Sequence, residues 1–242
     1  MRVGILGGIG FLGSEIYKVL CSKFDVYVID RKNYNNMRYI RFDIFINSNG
    51  NSIKYIANKS PAYNFDASVR TTHNTIFDFK FNKYIYISSS DVYSYIYSDE
   101  QDSIDFNKLD NYGFSKYLSE LIIGKYCINY LILRCSAIVG KNMKKGVIFD
   151  YKNNLPLYVT RDSHLQFISN TEIACIIMYL IENDFNREII NIGGIGTISV
   201  DSLENATFRE SAVIEEHGMV VSKLYKIYPD LRRSSEYVEE VL

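Results

Sequence analysis

Short hydrophobic runs along the chain alternate with longer segments in which apolar residues recur at helical spacing. An apolar run at 2–6 is followed by a glycine-rich turn at 7–13 and by an amphipathic stretch at 14–23. A second apolar run, at 26–29, ends on Asp30. Apolar runs bounded by turns are typical of buried strands, and apolar residues three and four positions apart indicate a helix. The first thirty residues therefore predict a strand, a turn, a helix and a second strand.

The same alternation continues along the chain. The pattern predicts further strands at 39–42, 53–57, 83–90, 130–137 and 188–194, and long helices at 112–126 and within 167–182. In the helix at 112–126 we expect Leu118, Leu121 and Ile122 to form the buried apolar face. Strands that alternate with helices favour a parallel sheet covered on both faces. We predict an α/β fold: a doubly wound (Rossmann) parallel sheet of about seven strands with a small C-terminal substrate-capping region.

Loop-rich composition suggests how this fold is divided. Residues 141–165 are basic and contain Pro156, and the chain beyond 194 has only short predicted elements. We expect 1–140 and 166–194 to form an NAD(P)-binding Rossmann domain. The segments 141–165 and 195–242 would then form a small substrate-binding region.

Composition narrows the functional class. The chain has 242 residues, 47% of them hydrophobic, and a net charge of −1 without blocks of like charge. This balance argues against nucleic acid or an anionic membrane surface as partner. The longest apolar run, 173–181, is too short to span a bilayer. The first strand begins at residue 2, which leaves no room for a signal peptide. With four scattered cysteines read as reduced thiols, we expect a cytoplasmic protein, and we predict no metal site.

The glycine turn suggests a dinucleotide site. Gly7 permits a tight turn, Gly10 lets the backbone approach a pyrophosphate, and Gly13 lets the helix pack close to the strand. The helix N-terminus offers N–H groups to phosphates, and Asp30 can accept hydrogen bonds from the ribose hydroxyls. Glycine spacing alone also fits an ordinary loop. The second strand that ends on an acid favours the binding interpretation.

Charged residues after the second strand bear on which dinucleotide is bound. Arg31 and Lys32 could pair with the 2′-phosphate of NADP, or could belong to a solvated turn. Asp30 would repel that phosphate, so we predict NAD, with NADP possible. Asp43, at the end of the predicted third strand, could reach the adenine amino group, but a plain turn at the strand end fits equally well.

Two Tyr-x3-Lys pairs occur, Tyr55/Lys59 and Tyr112/Lys116. Only the second lies on a predicted helix, where positions i and i+4 share a face. A lysine ammonium favours the phenolate of a nearby tyrosine, and lowering the pKa by about 3 units requires about 4 kcal/mol. Such a pair suits acid–base chemistry, although a solvated helix face fits the same spacing. The serine run 88–90 falls at the end of a predicted strand, where the cofactor crevice of a parallel sheet lies.

Taken together, these motifs resemble the extended short-chain dehydrogenase/reductase family, in its NAD-dependent epimerase/dehydratase branch. The resemblance covers most of the chain and rests on GGIGFLG at 7–13, Asp30, Asp43, SSSDVY at 88–93, YGFSK at 112–116, LRCSAIVG at 133–140, FISNTEIA at 167–174 and INIGG at 190–194.

The resemblance implies a set of site residues. It makes Ser89, Tyr112 and Lys116 the catalytic residues, with Lys116 also contacting the nicotinamide ribose. The cofactor-binding positions it implies are Gly7, Gly10, Phe11, Leu12, Gly13, Asp30, Arg31, Asp43, Ile44, Ala57, Asn74, Tyr112 and Lys116. For the substrate we expect Ser90 and a cation for a diphosphate. Among Lys144, Lys145, Arg232 and Arg233 we prefer Arg232 or Arg233, because a planar guanidinium suits phosphate. The family also implies a nucleotide-sugar substrate and a homodimer through the helix that bears Tyr112.

Three functional hypotheses follow. Sugar dehydratases of this family carry an Asp-Glu pair directly after the catalytic Thr, and Ser90-Asp91 stand there in this chain. Ser90 cannot protonate a leaving hydroxyl as a carboxylic acid would, which argues against 4,6-dehydration. The first hypothesis is an NAD(P)-dependent reductase of a keto group on a nucleotide-linked deoxysugar. The second is a nucleotide-sugar epimerase that retains its NAD, and the third is a dinucleotide-binding protein without chemistry.

Overall fold

The computed structural model describes all residues from 1 to 242. Its strands are β1 (Arg2–Leu6), β2 (Asp25–Ile29), β3 (Arg41–Asn47), β4 (Lys80–Ser89), β5 (Tyr130–Cys135), β6 (Ala137–Val139), β7 (Leu157–Val159), β8 (His164–Leu165), β9 (Phe167–Ser169), β10 (Glu188–Ile192), β11 (Ile198–Ser199), β12 (Phe208–Val213) and β13 (Glu216–His217). Its α-helices are α1 (Phe11–Leu20), α2 (Tyr34–Met37), α3 (Lys54–Lys59), α4 (Pro61–Phe65), α5 (Thr71–Asp78), α6 (Asn111–Tyr126), α7 (Val147–Lys152), α8 (Asn170–Glu182), α9 (Ser222–Ile227) and α10 (Ser234–Glu239).

Six parallel strands form the central sheet, in the order β10-β5-β4-β3-β1-β2. The predicted fold class is confirmed, with six strands in place of about seven. The prediction of a strand at 53–57 was wrong, because this segment is helix α3. The third predicted strand, at 39–42, belongs to β3, which continues to Asn47 and pairs with both β1 and β4.

Helices cover both faces of this sheet. On one face, α1 packs against α8, and their buried residues join the larger core cluster with Val3, Ile85 and Leu133 of the sheet. On the other face, a smaller cluster is rich in aromatic rings, with Phe42, Phe45 and Tyr84 beneath Ile123 of α6. Both faces of each central strand are therefore buried, which explains the nearly continuous apolar runs in the sequence.

The two segments that we expected to bind substrate pair with each other. Strand β7 pairs with β12, and β8 pairs with both β11 and β13. Leu157 and Val159 of β7 are fully buried in the same core cluster as α8. These segments therefore extend the core of the sheet at its carboxyl edge.

The prediction of the buried face of α6 was wrong. This helix buries Lys116, Ser119, Glu120 and Ile123. Glu120 faces inward because its carboxylate pairs with the guanidinium of Arg134 at 2.6 Å, with both side chains 3% exposed. The predicted face instead lines an outward apolar groove, which is formed by Phe65, Val69, Leu118, Leu121, Ile122, Lys125 and Tyr126. No helix combines the length and apolar character required to cross a membrane.

Candidate active site at the carboxyl edge of the sheet

The glycine turn after β1 is closed by the backbone. Gly7 has a φ of +79°, its N–H donates to the carbonyl of Ile29, and its own carbonyl accepts the N–H of Gly10. A Cβ on Gly13 would lie 2.2 Å from the Gly7 carbonyl oxygen. The turn therefore requires glycine at both ends. Gly10 precedes α1 without a side-chain cap, so no side chain of the chain competes for the helix N-terminus.

A polar loop after β3 connects this turn to the predicted catalytic lysine. The hydroxyl of Ser48 donates to the Leu6 carbonyl at 2.7 Å, and the backbone N of Asn49 lies 3.1 Å from where a Cβ on Gly7 would be. Gly50 has a φ of +142°, and a Cβ there would lie 3.7 Å from Nζ of Lys116. The residues 48–50 thus lie between the glycine turn and the lysine. No sequence motif identified this segment, although a polar run directly after a buried strand marks a strand end at the sheet edge.

Asp30 lies at the end of β2, beside the glycine turn. Its Oδ1 accepts the N–H groups of Lys32 and Asn33 at 2.7 and 3.1 Å, and its Oδ2 has no partner within the protein. Arg31 is exposed in the following turn. Phe11 is half-buried at the start of α1, whereas Leu12 points into the core and is 9% exposed.

Four expected cofactor-binding residues lie elsewhere. Asp43 lies toward the amino edge of β3, where its carboxylate accepts the backbone N–H of Arg2 at 2.7 Å. Ile44 is buried inside β3, and Ala57 is fully buried in α3. Asn74 is exposed in the middle of α5 and does not cap it. Asp43 and Ile44 lie before the carboxyl end of β3 and Asn74 lies inside α5, so the structure does not bring these three residues to the carboxyl edge. Helix α3 does reach that edge through Lys54 and Asp91, but the side chain of Ala57 is buried within the protein.

The three expected catalytic residues do lie together. Ser89 ends β4, and Tyr112 and Lys116 lie on the first turns of α6, whose N-terminus is capped by Asp110. A Cβ on Gly113 would lie 2.1 Å from the carbonyl oxygen of Asp91, so this glycine lets the helix pack directly on the turn after Ser89. The Lys116 ammonium donates to the Ile87 carbonyl at 2.9 Å and lies 6.0 Å from the centroid of the Tyr112 ring.

The pKa of Tyr112 is raised, whereas the sequence predicted that Lys116 would lower it. Burial raises the pKa of Tyr112, and this effect outweighs the lowering by the Lys116 ammonium and the Ser89 hydroxyl. The carboxylate of Asp91 raises that pKa further. Burial alone would lower the pKa of Lys116, but the phenols of Tyr86 and Tyr112 more than compensate, so its net pKa is raised. Tyr112 is therefore protonated and Lys116 charged at neutral pH in this structure.

Ser89 has a partner that the sequence did not suggest. Its hydroxyl donates to Oδ2 of Asp91 at 2.8 Å and accepts the backbone N–H of Asp91 at 3.3 Å. The hydrogen of this hydroxyl, which a substrate carbonyl would need, is therefore held by a carboxylate.

The expected substrate residues are only partly brought together. Ser90 lines a small cavity of about 140 Å³. The other lining residues lie at 93–96 and 216–219 and include Tyr93 and His217. Arg232 is bound by the carboxylates of Glu172 and Glu240 and is not free for a diphosphate. Arg233 is exposed at the start of α10.

Lys145, in the segment before α7, reaches the cofactor side of this edge. Its ammonium donates to the carbonyl of Ser52, directly after the 48–51 loop. Burial and the neighbouring Lys116 ammonium lower the pKa of Lys145 to about 8.

The residues at this edge fit a nicotinamide dinucleotide. The glycine turn forms a cradle that a Cβ on Gly13 would fill, and the unpartnered oxygen of Asp30 can accept from a ribose hydroxyl. The hydroxyl of Ser136, directly after β5, is buried without a hydrogen-bond partner. A buried hydroxyl of this kind requires a partner, which a bound polar ligand would supply.

Residues 40–193 match the model of the NAD dependent epimerase/dehydratase family. This chain belongs to the NAD dependent epimerase/dehydratase family. The match covers more than half of the chain and includes Ser89, Tyr112 and Lys116, whereas the glycine turn lies before it. The predicted resemblance is thereby confirmed, and with it NAD as the cofactor, because the family is defined as NAD-dependent. Among curated protein sequences no match was found.

Solved structures share the whole fold of this family member. A UDP-galactose 4-epimerase aligns with a TM-score of 0.83 at 19% identity, covering 100% of this chain and 97% of the other. MoeE5 in complex with UDP-glucuronic acid and NAD aligns with a TM-score of 0.85 at 14% identity, covering 100% and 97%. A dTDP-4-dehydrorhamnose reductase from Bacillus anthracis str. Ames, in complex with NADP, aligns with a TM-score of 0.79 at 18% identity, covering 99% and 96%. At these identities the likeness establishes the fold.

Proposed function

We propose that the protein is an NAD(P)-dependent oxidoreductase that reduces a keto group of a nucleotide-linked sugar. The observation that carries this proposal is the convergence of Ser89, Tyr112 and Lys116 beside the glycine turn, at one edge of a parallel sheet. Three similar structures act on, or are bound to, UDP- or dTDP-linked sugars. This shared substrate class supports a nucleotide sugar here.

Each residue has a distinct role in this proposal. The glycine turn and the N-terminus of α1 hold the cofactor pyrophosphate, Asp30 accepts from the adenosine ribose, and Lys116 binds the nicotinamide ribose. When bound, the reduced nicotinamide supplies the hydride. Tyr112 donates a proton to the carbonyl oxygen as it becomes a hydroxyl. Ser89 donates to that oxygen once its hydroxyl turns from Asp91 to the substrate, while the Lys116 ammonium stabilises the phenolate that Tyr112 becomes.

The electrostatics of Tyr112 favour the direction of reduction. Because burial holds its pKa above the ordinary value of 10.0, the phenol carries its proton at neutral pH. A general acid must be protonated before the step, whereas oxidation of a hydroxyl must begin from the phenolate. This protonated form supports a role for Tyr112 as the proton donor in a reduction.

A second candidate is a nucleotide-sugar epimerase that retains NAD through turnover. The similarity to a UDP-galactose 4-epimerase, with a TM-score of 0.83 over 100% of this chain, supports it.

We also propose that 141–165 and 195–242 bind the substrate.

A homodimer is a further part of the proposal. The groove with Leu118, Leu121 and Ile122 leaves apolar side chains at the surface of α6, and Leu121 is 51% exposed. A second copy of the same face would bury them. Light scattering of Leu121→Glu against Ile128→Glu, an exposed apolar residue beyond α6, tests this. The first variant should be monomeric and the second dimeric, and a monomeric wild-type protein would refute the dimer.

Hydride exchange tests the proposed activity. Purified protein is assayed with NADH or NADPH and a panel of UDP- and dTDP-linked 4-keto sugars, and absorbance reports cofactor oxidation. We expect turnover that depends on added reduced cofactor. Protein that carries tightly bound NAD and converts a UDP-sugar without added cofactor would identify the epimerase instead. Dinucleotide binding without turnover on any sugar would leave only a binding protein.

A further inference from the structure

A partly buried ion pair lies beside the catalytic serine, with the Lys54 side chain 37% exposed. The ammonium of Lys54, the first residue of α3, contacts Oδ1 of Asp91, while Oδ2 of the same carboxylate accepts the Ser89 hydroxyl at 2.8 Å. The side chain of Asp91 is 16% exposed. One carboxylate therefore joins a lysine from the segment after β3 to the hydroxyl at the end of β4.

The ion pair also contacts the C-terminal part of the chain. Nζ of Lys54 lies 3.3 Å from Nε2 of His217 in β13, and the same ring nitrogen lies 4.0 Å from Oδ1 of Asp91. Oε2 of Glu215 lies 3.6 Å from Nε2 of His217. Strand β13 pairs with β8, in the segments that we propose cover the substrate. Helix α3, strand β4, strand β13 and the start of α6 thus meet at Asp91.

The charges around Asp91 keep it ionised. Burial by itself raises the pKa of Asp91, but Lys54, His217 and Ser89 lower it, and the net pKa lies below the ordinary value. The pKa of Lys54 is raised, since the carboxylates around it outweigh its burial. The groups that face Asp91, Lys54 and Tyr112 from the surrounding elements are Tyr86, Ser89, Asp110, Lys116, Tyr158, Glu215 and His217.

We propose that Asp91 and Lys54 are positioning residues for the reaction, Asp91 holding the Ser89 hydroxyl beside Tyr112 and Lys54 fixing Asp91 against the C-terminal segment. Two hydrogen bonds between Ser89 and Asp91 restrict the serine side chain to one orientation. The contact of Lys54 with His217 ties that orientation to the segment that covers the substrate. This inference rests on the proposed function, because it assigns roles in that reaction.

Removing the negative charge of Asp91 and removing the positive charge of Lys54 should shift the pKa of Tyr112 in opposite directions. Asp91→Asn keeps an acceptor for Ser89 but removes a negative charge that raises the pKa of Tyr112. The pKa of Tyr112 then falls. Lys54→Met removes the cation that neutralises Asp91, so the pKa of Tyr112 rises. A general loss of packing would move both variants in the same direction, or neither.

The test is the pH dependence of the reverse oxidation, measured with product alcohol and NAD from about pH 7 to about pH 11, the range in which phenols titrate. This rate rises with pH through the pKa of Tyr112. We expect Asp91→Asn to lower the midpoint and Lys54→Met to raise it, each by about one pH unit. We also expect kcat to fall about tenfold in both variants, because an amide, or a carboxylate no longer fixed by Lys54, holds the Ser89 hydroxyl less firmly, with the Kd for NADH unchanged. Lys54→Arg should restore most of kcat.

Lys83→Met is the matched control. Lys83 is likewise paired with an aspartate, Asp184, although Lys83 is buried and Asp184 is exposed, and it lies in β4 at the far edge of the sheet. It should leave the midpoint where it is in the wild-type protein. Folded variants of Lys54 and Asp91 with unchanged kcat and midpoint, or with midpoints that shift in the same direction, would overturn the proposal. A wild-type protein without hydride transfer overturns the proposed function itself, and these roles with it.

Discussion

The two edges of the central sheet both bury polar side chains, but with different outcomes. At the amino edge, Lys83 donates to Asp184 and to the Phe185 carbonyl at 2.7 and 2.8 Å, and Asp43 accepts the backbone N–H of Arg2. At the carboxyl edge, the hydroxyls of Tyr86 and Ser136 are buried without a hydrogen-bond partner. Most groups at the amino edge complete the fold, although Oδ1 of Asn186 there is buried without a partner, whereas two hydroxyls at the carboxyl edge are left for a ligand.

This difference follows from the direction of the strands. In a parallel sheet all carboxyl ends open toward the same crevice, and loops there carry the binding groups. The same residue type therefore stabilises the fold at one edge and serves chemistry at the other. Each of the following variants at the carboxyl edge has a partner variant far from it, and together they test this separation.

The largest expected difference in kcat is between variants of two tyrosines. Tyr112→Phe should lower kcat by about 10³-fold or more, because the proton donor is lost. The Kd for NADH should stay nearly unchanged, measured by fluorescence titration. Tyr130→Phe, at the start of β5 on the amino edge, should keep wild-type turnover. Loss of NADH binding in Tyr112→Phe would show that the role assigned to this phenol is wrong.

Two buried lysines should differ almost as much. Lys116→Met should lower kcat by about 10²-fold, since the phenolate of Tyr112 loses its neighbouring cation. Lys83→Met should leave kcat unchanged and reduce the free energy of unfolding by about 1–3 kcal/mol, because the carbonyl of Phe185 loses its donor. Steady-state kinetics and urea unfolding of both variants separate these effects. Equal kinetic losses in the two variants would contradict the separation of the edges.

Two glycines give a smaller contrast. Gly13→Ala forces a Cβ against the Gly7 carbonyl and should reduce the free energy of unfolding by about 1–3 kcal/mol. The displaced turn should also weaken NADH binding at least about tenfold. Gly124→Ala, near the end of α6, meets no atom within 4 Å and should stabilise the protein by about 0.5–1 kcal/mol. Unchanged NADH affinity in Gly13→Ala would place the dinucleotide elsewhere.

The smallest expected effect is that of pH on kcat/KM for reduction of the keto sugar. The pKa of Tyr112 lies above its ordinary value of 10.0, so the proton donor is lost only as the pH rises through that raised pKa. The kcat/KM for the keto sugar should therefore vary less than about twofold between pH 6 and pH 9, well below the ordinary phenol pKa of about 10. A steep decline between pH 7 and pH 8 would show that Tyr112 is not the group that donates the proton.

Local sequence patterns were sufficient to predict the elements that are determined by residues close together in the chain. The first strand–turn–helix–strand unit and the capped helix with Tyr112 and Lys116 were predicted correctly, because glycines, caps and i,i+4 spacing act within a few residues. Ser89 was placed beside them by a motif at a strand end.

Predictions that depended on distant partners failed. The segment 53–57 has an apolar pattern too short to distinguish a strand from a helix, and only the pairing of β3 with β1 and β4 settles it. The buried face of α6 could not be predicted, because Glu120 faces inward only when Arg134 of β5 meets it there. Asp91 is only two residues from Ser89, but the Lys54 and His217 side chains that contact its carboxylate lie far from it in the sequence.

Strand β2 has a neighbour on one side only, because no strand lies beyond it in the sheet. Alternate N–H groups between Asp25 and Ile29 therefore point away from β1 and lack a ladder partner. In a deuterated buffer these amides should exchange before those of β3 and β4, which are paired on both sides. Mild heating would thus loosen the outer strands β10 and β2 before the central ones. Because β2 ends beside Asp30, release of the adenosine end of a dinucleotide would precede melting of the centre.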